Sequence, residues 1–169
     1  MTSKISADSA VREPRLILVC GLPGAGKTTH GKRLEEELPA VRFAPDEWMA
    51  ALAIDLYDER ARAHIEQLQW SLCERLLTLG LIVIVEWGTW ARAERDALRQ
   101  RARELGAGVE LHSLLASEDV LFERIRRRGM EEPPIAREDL ARWAKQFEIP
   151  SEEEKRLYDK VIEIYGQGA

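Results

Sequence analysis

Near the start of the chain stands Arg15-Leu16-Ile17-Leu18-Val19-Cys20, followed at once by Gly21-Leu22-Pro23-Gly24-Ala25-Gly26-Lys27-Thr28-Thr29. The first part is a short apolar run bounded by a turn residue, the pattern of a strand buried on both faces. Gly21 to Thr28 then matches G-x-x-x-x-G-K-[ST] in full. Glycines let backbone N–H groups converge on phosphate oxygens without Cβ clashes. A helix starting at Gly26 adds the positive end of its dipole. Lys27 supplies a mobile charge for β- and γ-phosphates, and the Thr28 hydroxyl is an oxygen ligand suited to Mg²⁺. With glycine at about 7% of residues, a chance match in a chain this short has odds below about one per cent. Gly21–Thr29 therefore reads as a cradle for nucleotide phosphates.

Downstream, strands and helices alternate. Lys27 to Leu38 reads as a helix stopped by Pro39, and Val41 to Phe43 as a short strand. Ala61, Ile65, Leu68, Leu72, Leu76 and Leu79 form a helical stripe ended by Gly80, with Trp70, Cys73 and Leu77 as a second apolar line. Leu81–Val85 is a buried strand, 91–105 a helix, and Val109–Leu115 a strand. Ser117 stands at an N-cap before a helix that ends at Gly129. Pro133-Pro134 interrupts the chain, a helix resumes near Glu138, and Val161–Ile164 is the last strand. This alternation predicts an α/β fold, a parallel sheet with helices on both faces. Ligands then bind beyond the carboxyl ends of the strands.

Composition narrows the class. The 169 residues are 45% hydrophobic and 33% charged, which suits one globular domain. The expected layout is a floppy leader over 1–13 and a single domain over 14–169, with a lid over about 124–147. Thirty acids against 25 bases leave a net charge of -5, so phosphate-driven nucleic-acid binding needs a local basic patch. The apolar runs are far shorter than the roughly 20 residues of a membrane helix. The N-terminus has no apolar stretch resembling a secretory signal. Cys20 and Cys73 stand far apart, without a CxxC, so a reducing cytoplasm is the default compartment.

Other strand ends carry the remaining candidates. Asp46, in Ala44-Pro45-Asp46-Glu47-Trp48-Met49, is either a base for an attacking hydroxyl or a helix cap. Glu86, after the apolar strand, is placed to support Mg²⁺ or the acceptor. Trp87 and Trp90 are either packing or an acceptor wall. Arg124, Arg126, Arg127 and Arg128 crowd one helix end, with Arg124 and Arg128 on one face and Arg126 pointing elsewhere. Arginine forks suit phosphates and stack on adenine. Arg137 could close over phosphates from beyond the break. Of the line Arg92, Arg95, Arg99 and Arg103, Arg92 and Arg95 start near enough to the sheet edge to reach a ligand. His30, His64 and His112 lack metal-ligand spacing, and His30 reads as packing or surface.

On Gly21–Thr28, Pro45-Asp46-Glu47-Trp48, Val85-Glu86-Trp87-Gly88-Thr89-Trp90 and the Arg124/Arg128 pair, the chain resembles small P-loop kinases of the adenylate-kinase-like group. It is similar in particular to the AAA_33 ATP-binding proteins, relatives of chloramphenicol phosphotransferase, zeta toxin and polynucleotide kinase domains. The resemblance covers residues 15–165. It implies a three-layer P-loop NTPase fold, with a five-stranded parallel sheet, the cradle strand at its centre and a small helical lid. It also implies transfer of phosphate from ATP·Mg²⁺ to a hydroxyl, with Asp46 as base, Arg124 near adenine and Arg128 near the phosphates. Polynucleotide kinases carry an arginine three residues after that aspartate, where this chain has Met49. Glu86 stands where aspartate is more usual.

The expected activity is phosphorylation of a small neutral or cationic hydroxyl acceptor. Lys27, Asp46 and Arg128 would be catalytic, with Arg127 and Arg137 as helpers. Asp46, Trp48, Glu86, Trp87, Trp90 and Arg92 would line the acceptor site, and Thr28 and Glu86 would hold the metal. The alternatives are a 5′-hydroxyl polynucleotide kinase, which Met49 disfavours, and a nucleotide-binding regulatory module. The protein is expected as a monomer or homodimer without a membrane partner.

Overall fold

The computed structural model describes residues 13–129 and 133–166. All of the expected leader but Glu13 lies outside the described residues, as do Met130, Glu131 and Glu132 of the expected lid. Five strands form one parallel sheet. They are β1 (Arg15–Cys20), β2 (Ala40–Phe43), β3 (Ile82–Gly88), β4 (Gly108–Leu115) and β5 (Lys160–Tyr165). Their order is β2-β3-β1-β4-β5, so the cradle strand is central. Residues 16–20 of β1 are all fully buried. Because neighbouring strand residues point to opposite faces, this requires cover on both sides of the sheet.

Helices provide that cover. α1 (Lys27–Glu37) packs on β1, β2 and β3, α3 (Glu59–Thr78) on β3, and α4 (Arg92–Glu104) on β1 and β4. α2 (Pro45–Ala51) leans on α3. α5 (Glu118–Arg128) and α6 (Arg137–Gln146) pack together, and α7 (Glu152–Lys155) precedes β5. Ser117 caps α5 by accepting from the Val120 N–H, and Gly129 ends it in the left-handed conformation. Among the described residues no helix is long and apolar enough to cross a membrane.

Two elements depart from the sequence reading. β3 does not stop at Val85. A bulge between Leu18 and Cys20 shifts the register, and the pairing runs on until Cys20 meets Gly88, so Glu86 and Trp87 belong to the strand. On α3 the buried row is Ile65, Gln69, Cys73 and Leu77, while Leu68, Leu72 and Leu79 are exposed. The row escaped the apolar pattern because it contains a glutamine, whose Oε1 accepts the Trp87 indole N–H at 2.9 Å.

Candidate active site

The cradle is closed by backbone contacts. Gly21 N–H donates to Gly88 O at 3.3 Å and Ala25 N–H to Leu22 O at 3.1 Å. Gly24 has φ +81°, and a Cβ there would sit 2.8 Å from Leu121 O, so only glycine lets α5 pack this close. Gly26, the N-cap of α1, is left-handed and offers no side-chain cap, and the first turn holds no acid. The leading N–H groups are therefore left to an anion. Lys27 Nζ donates to Leu22 O at 3.0 Å. Burial lowers its pKa to about 8, while Glu86 and Asp46 pull it back up.

A cavity of about 1070 Å³ opens above the carboxyl ends of the strands, lined by Pro23 through Thr29 on one side. Gly21 and Leu22 form the base of the loop and do not line it. Trp87, Trp90, Asp46 and Glu86 line it, as do Arg124 and Arg128 from α5. Asp46 lies in the first turn of α2 behind Pro45, a favoured place for both residue types. Its exposed carboxylate pairs with Arg62 at 2.5 Å.

Glu86 is buried. Its Oε1 accepts from Thr28 Oγ1 at 2.6 Å, and its Oε2 accepts from Arg42 Nη1 at 2.7 Å. Arg42, itself buried, also binds Glu35 and Glu47. Gly31 on α1 makes room, since a Cβ there would stand 2.8 Å from Glu86 Oε2 and 2.9 Å from Arg42 Cδ. Thr28 and Glu86 thus form a pair of hard oxygen donors that fits Mg²⁺. Among the described residues no group of three or more His, Cys, Asp or Glu side chains is arranged to hold a metal. An ion here would complete its shell with phosphate and water.

Several expected residues lie elsewhere. Trp48 packs on Phe43 in the core and does not line the cavity. Arg92 turns outward to Asp96 and Glu153. Arg95 reaches no ligand, because its fully buried guanidinium is paired with Glu154 and bonded to the Thr89, Trp90 and Glu148 carbonyls. Arg127 is outside the lining, and Arg137 pairs with Asp119 and stacks over Phe122 at 4.6 Å. Arg126 faces solvent beside Glu123, as its helix position predicts. Met49 is fully buried, so the position three residues after Asp46 turns into the core, away from any acceptor.

The sequence reading also missed residues. Arg62 and Glu66 from α3, Glu94 from α4, Tyr57 and Trp143 all line the cavity. Tyr57 OH donates to Pro133 O at 3.0 Å, joining the α2–α3 connection to the segment before α6. No motif marks these residues, because they reach the cradle only through helix packing. His30 is buried, with Nε2 2.8 Å from His112 Nδ1, and His112 reaches Glu110 at 3.2 Å.

The AAA_33 family, described as an AAA domain, matches residues 16–150, so the chain belongs to that family. No curated protein matches the chain. Among solved structures it is similar to a candidate kinase from Chloroflexus aurantiacus J-10-fl at 23% identity and a TM-score of 0.72, over 91% of this chain and 86% of that one. It is similar to Kti12 of Chaetomium thermophilum, solved with ADP-AlF3, at 20% identity and TM-score 0.67, over 89% and 88%. A gluconokinase from Sinorhizobium meliloti 1021 follows at 19% identity and TM-score 0.58, over 92% and 83%. At these identities the likeness is one of fold, that of P-loop kinases.

Proposed function

We propose that this AAA_33 protein is a phosphotransferase that moves the γ-phosphoryl group of ATP to a hydroxyl of a small molecule. One observation carries the reading. The phosphate cradle and Asp46 face the same cavity, and Asp46 stands close enough to Lys27 to raise its pKa. In this reading Asp46 accepts the hydroxyl proton. The freed oxygen pair forms a bond to the γ-phosphorus, the bond to the bridging oxygen breaks, and ADP leaves with that electron pair. Lys27 and Arg128 neutralise the oxygens of the transferring group, and Arg124 lies toward the base. Mg²⁺, held by Thr28 and Glu86, would supply charge neutralisation between the β- and γ-phosphates. The Arg42–Glu86 pair fixes the carboxylate against Thr28 for that purpose.

The acidic and aromatic lining away from the cradle favours a neutral or cationic acceptor over a phosphorylated one. The burial of Met49 removes the position at which polynucleotide kinases would grip a substrate phosphate. A screen of hydroxyl compounds with labelled ATP tests the proposal. Asp46→Asn is expected to cut transfer by orders of magnitude while ATP still binds, and Lys27→Ala to abolish both. Full transfer by Asp46→Asn would overturn the assignment of Asp46 as base, and no transfer to any hydroxyl compound would overturn the reading in favour of a nucleotide-dependent regulatory module.

A further inference from the structure

The cavity is electrically polar. Its lining carries the bases Lys27, Arg33, Arg62, Arg124 and Arg128 beside the acids Asp46, Glu47, Glu66, Glu86 and Glu94. Three of those acids are committed, Asp46 to Arg62, Glu47 to Arg42 and Lys32, and Glu86 to Thr28 and Arg42. Glu94 also spends one oxygen on the Ala91 N–H. Glu66 differs. It is half-buried, and Arg62 lies four residues before it on α3, the spacing of a helical ion pair. Yet Arg62 turns away to Asp46 and to Leu56 O. Glu66 is left without a hydrogen bond or ion pair among the described residues. Burial, with Glu94 and Asp46 nearby and Arg62 opposing, pushes its pKa up to about 7.

A second, independent feature faces the same space. Thr89 lines the cavity and is 5% exposed, and its Oγ1 has no hydrogen-bond partner among the described residues. Its backbone stands at φ +38°, a conformation costly for a β-branched residue. Two carbonyl bonds from Arg95, to Thr89 O and Trp90 O, hold it there. A buried hydroxyl without a partner and a half-buried carboxylate without one both carry a desolvation cost that a donor-rich ligand would offset. Trp87 and Trp90 line the same cavity, and aromatic faces attract cations.

We propose that the part of the cavity bordered by Glu66 and Thr89 is a subsite for an ammonium group, read by Glu66 and by the Thr89 hydroxyl as acceptors, and that the phosphate acceptor is therefore an amino alcohol or amino sugar. That the ligand accepts phosphate rests on the phosphotransferase reading, but the amine site itself does not depend on it. An ammonium carries three donors and no acceptor, which matches a site composed of acceptors. A neutral hydroxyl compound satisfies the hydrogen bonds and leaves the carboxylate charge uncompensated.

The test uses matched probes on the full chain, glucosamine against glucose and ethanolamine against ethylene glycol. Binding is followed by tryptophan fluorescence, and transfer with labelled ATP. Each amine should bind about ten- to a hundredfold tighter than its neutral partner, the range of a hydrogen-bonded charge. In Glu66→Gln the two members of each pair should bind alike. Equal binding of the two members to the parent protein overturns the inference, as does an amine preference that survives Glu66→Gln. Amine preference without transfer to any hydroxyl overturns the phosphotransferase reading and leaves the amine site standing. Transfer without preference does the reverse.

Discussion

Replacing Glu154 by glutamine removes the charge that faces Arg95, a fully buried cation. Arg95 and Glu154 are 0% and 1% exposed in their side chains, and they meet through two bonds, Nε to Oε1 at 2.7 Å and Nη2 to Oε2 at 2.9 Å. Losing one partner of a buried pair costs about 3–5 kcal/mol, because the other charge stays buried. Three carbonyl bonds to Arg95 survive in Glu154→Gln, and the amide oxygen can still accept one. The expected loss is therefore near the lower end, about 3 kcal/mol. For a chain of this size that lowers Tm by about 6–12 °C. Urea and thermal unfolding of the parent and variant measure it directly. Since Arg95 also holds the Thr89 and Trp90 carbonyls, acceptor affinity should fall more than ATP affinity. Replacing both partners, as in Arg95→Met with Glu154→Met, should recover much of the lost stability, since no unpaired charge remains. A Glu154→Gln protein within about 0.5 kcal/mol of the parent, well under the cost of an orphaned buried charge, would refute this account of the pair.

Two further outcomes are expected. Gly31→Ala should weaken Mg²⁺-dependent activity although alanine favours a helix by about 1 kcal/mol, because the new Cβ displaces Glu86 Oε2 and Arg42. A variant with unchanged Mg²⁺ dependence would show that the close approach is harmless. Stability should also fall in acid. Burial lowers the His30 pKa to about 4, His112 and Arg33 adding to the drop. Burial likewise lowers that of His112, against Glu110, which Arg15 and Lys160 hold from β1 and β5. Both histidines stay neutral in the fold, whereas an unfolded histidine takes up a proton below about pH 6.5. Stability is thus present above pH 6.5 and lost as the pH falls toward 4, His30 alone removing about 2 kcal/mol by pH 5. Denaturant midpoints between pH 7 and pH 5 check this, and His30→Gln should flatten the dependence.

Much of the fold was legible because its signals are local. Leu16–Cys20 is an unbroken apolar run, Ser117 and Gly129 bracket α5, and Gly21–Thr28 carries the glycines, lysine and threonine of a cradle within eight consecutive residues. The central position of β1 came from the family resemblance and not from the pattern. Where the reading missed, a long-range contact was responsible. Gln69 interrupts the buried row of α3 because Trp87 bonds to it, and Trp87 lies in the strand only because of a register shift at β1.

The residues that form the phosphate cradle were determined by the sequence alone. A backbone loop that must bend sharply and expose its N–H groups places its glycines within one short stretch of sequence. The far end of the cavity was decided by the tertiary structure. Arg62 and Glu66 stand on α3, Glu94 on α4 and Asp46 on α2, and no spacing in the chain relates them. Tertiary packing also sorted the arginines by burial and partner, taking Arg95 into the core, sending Arg92 and Arg137 to surface pairs, and leaving Arg124 and Arg128 at the cavity. Charge is visible in a sequence, but whether a charge meets a ligand, a partner or water depends on which helices the sheet brings together.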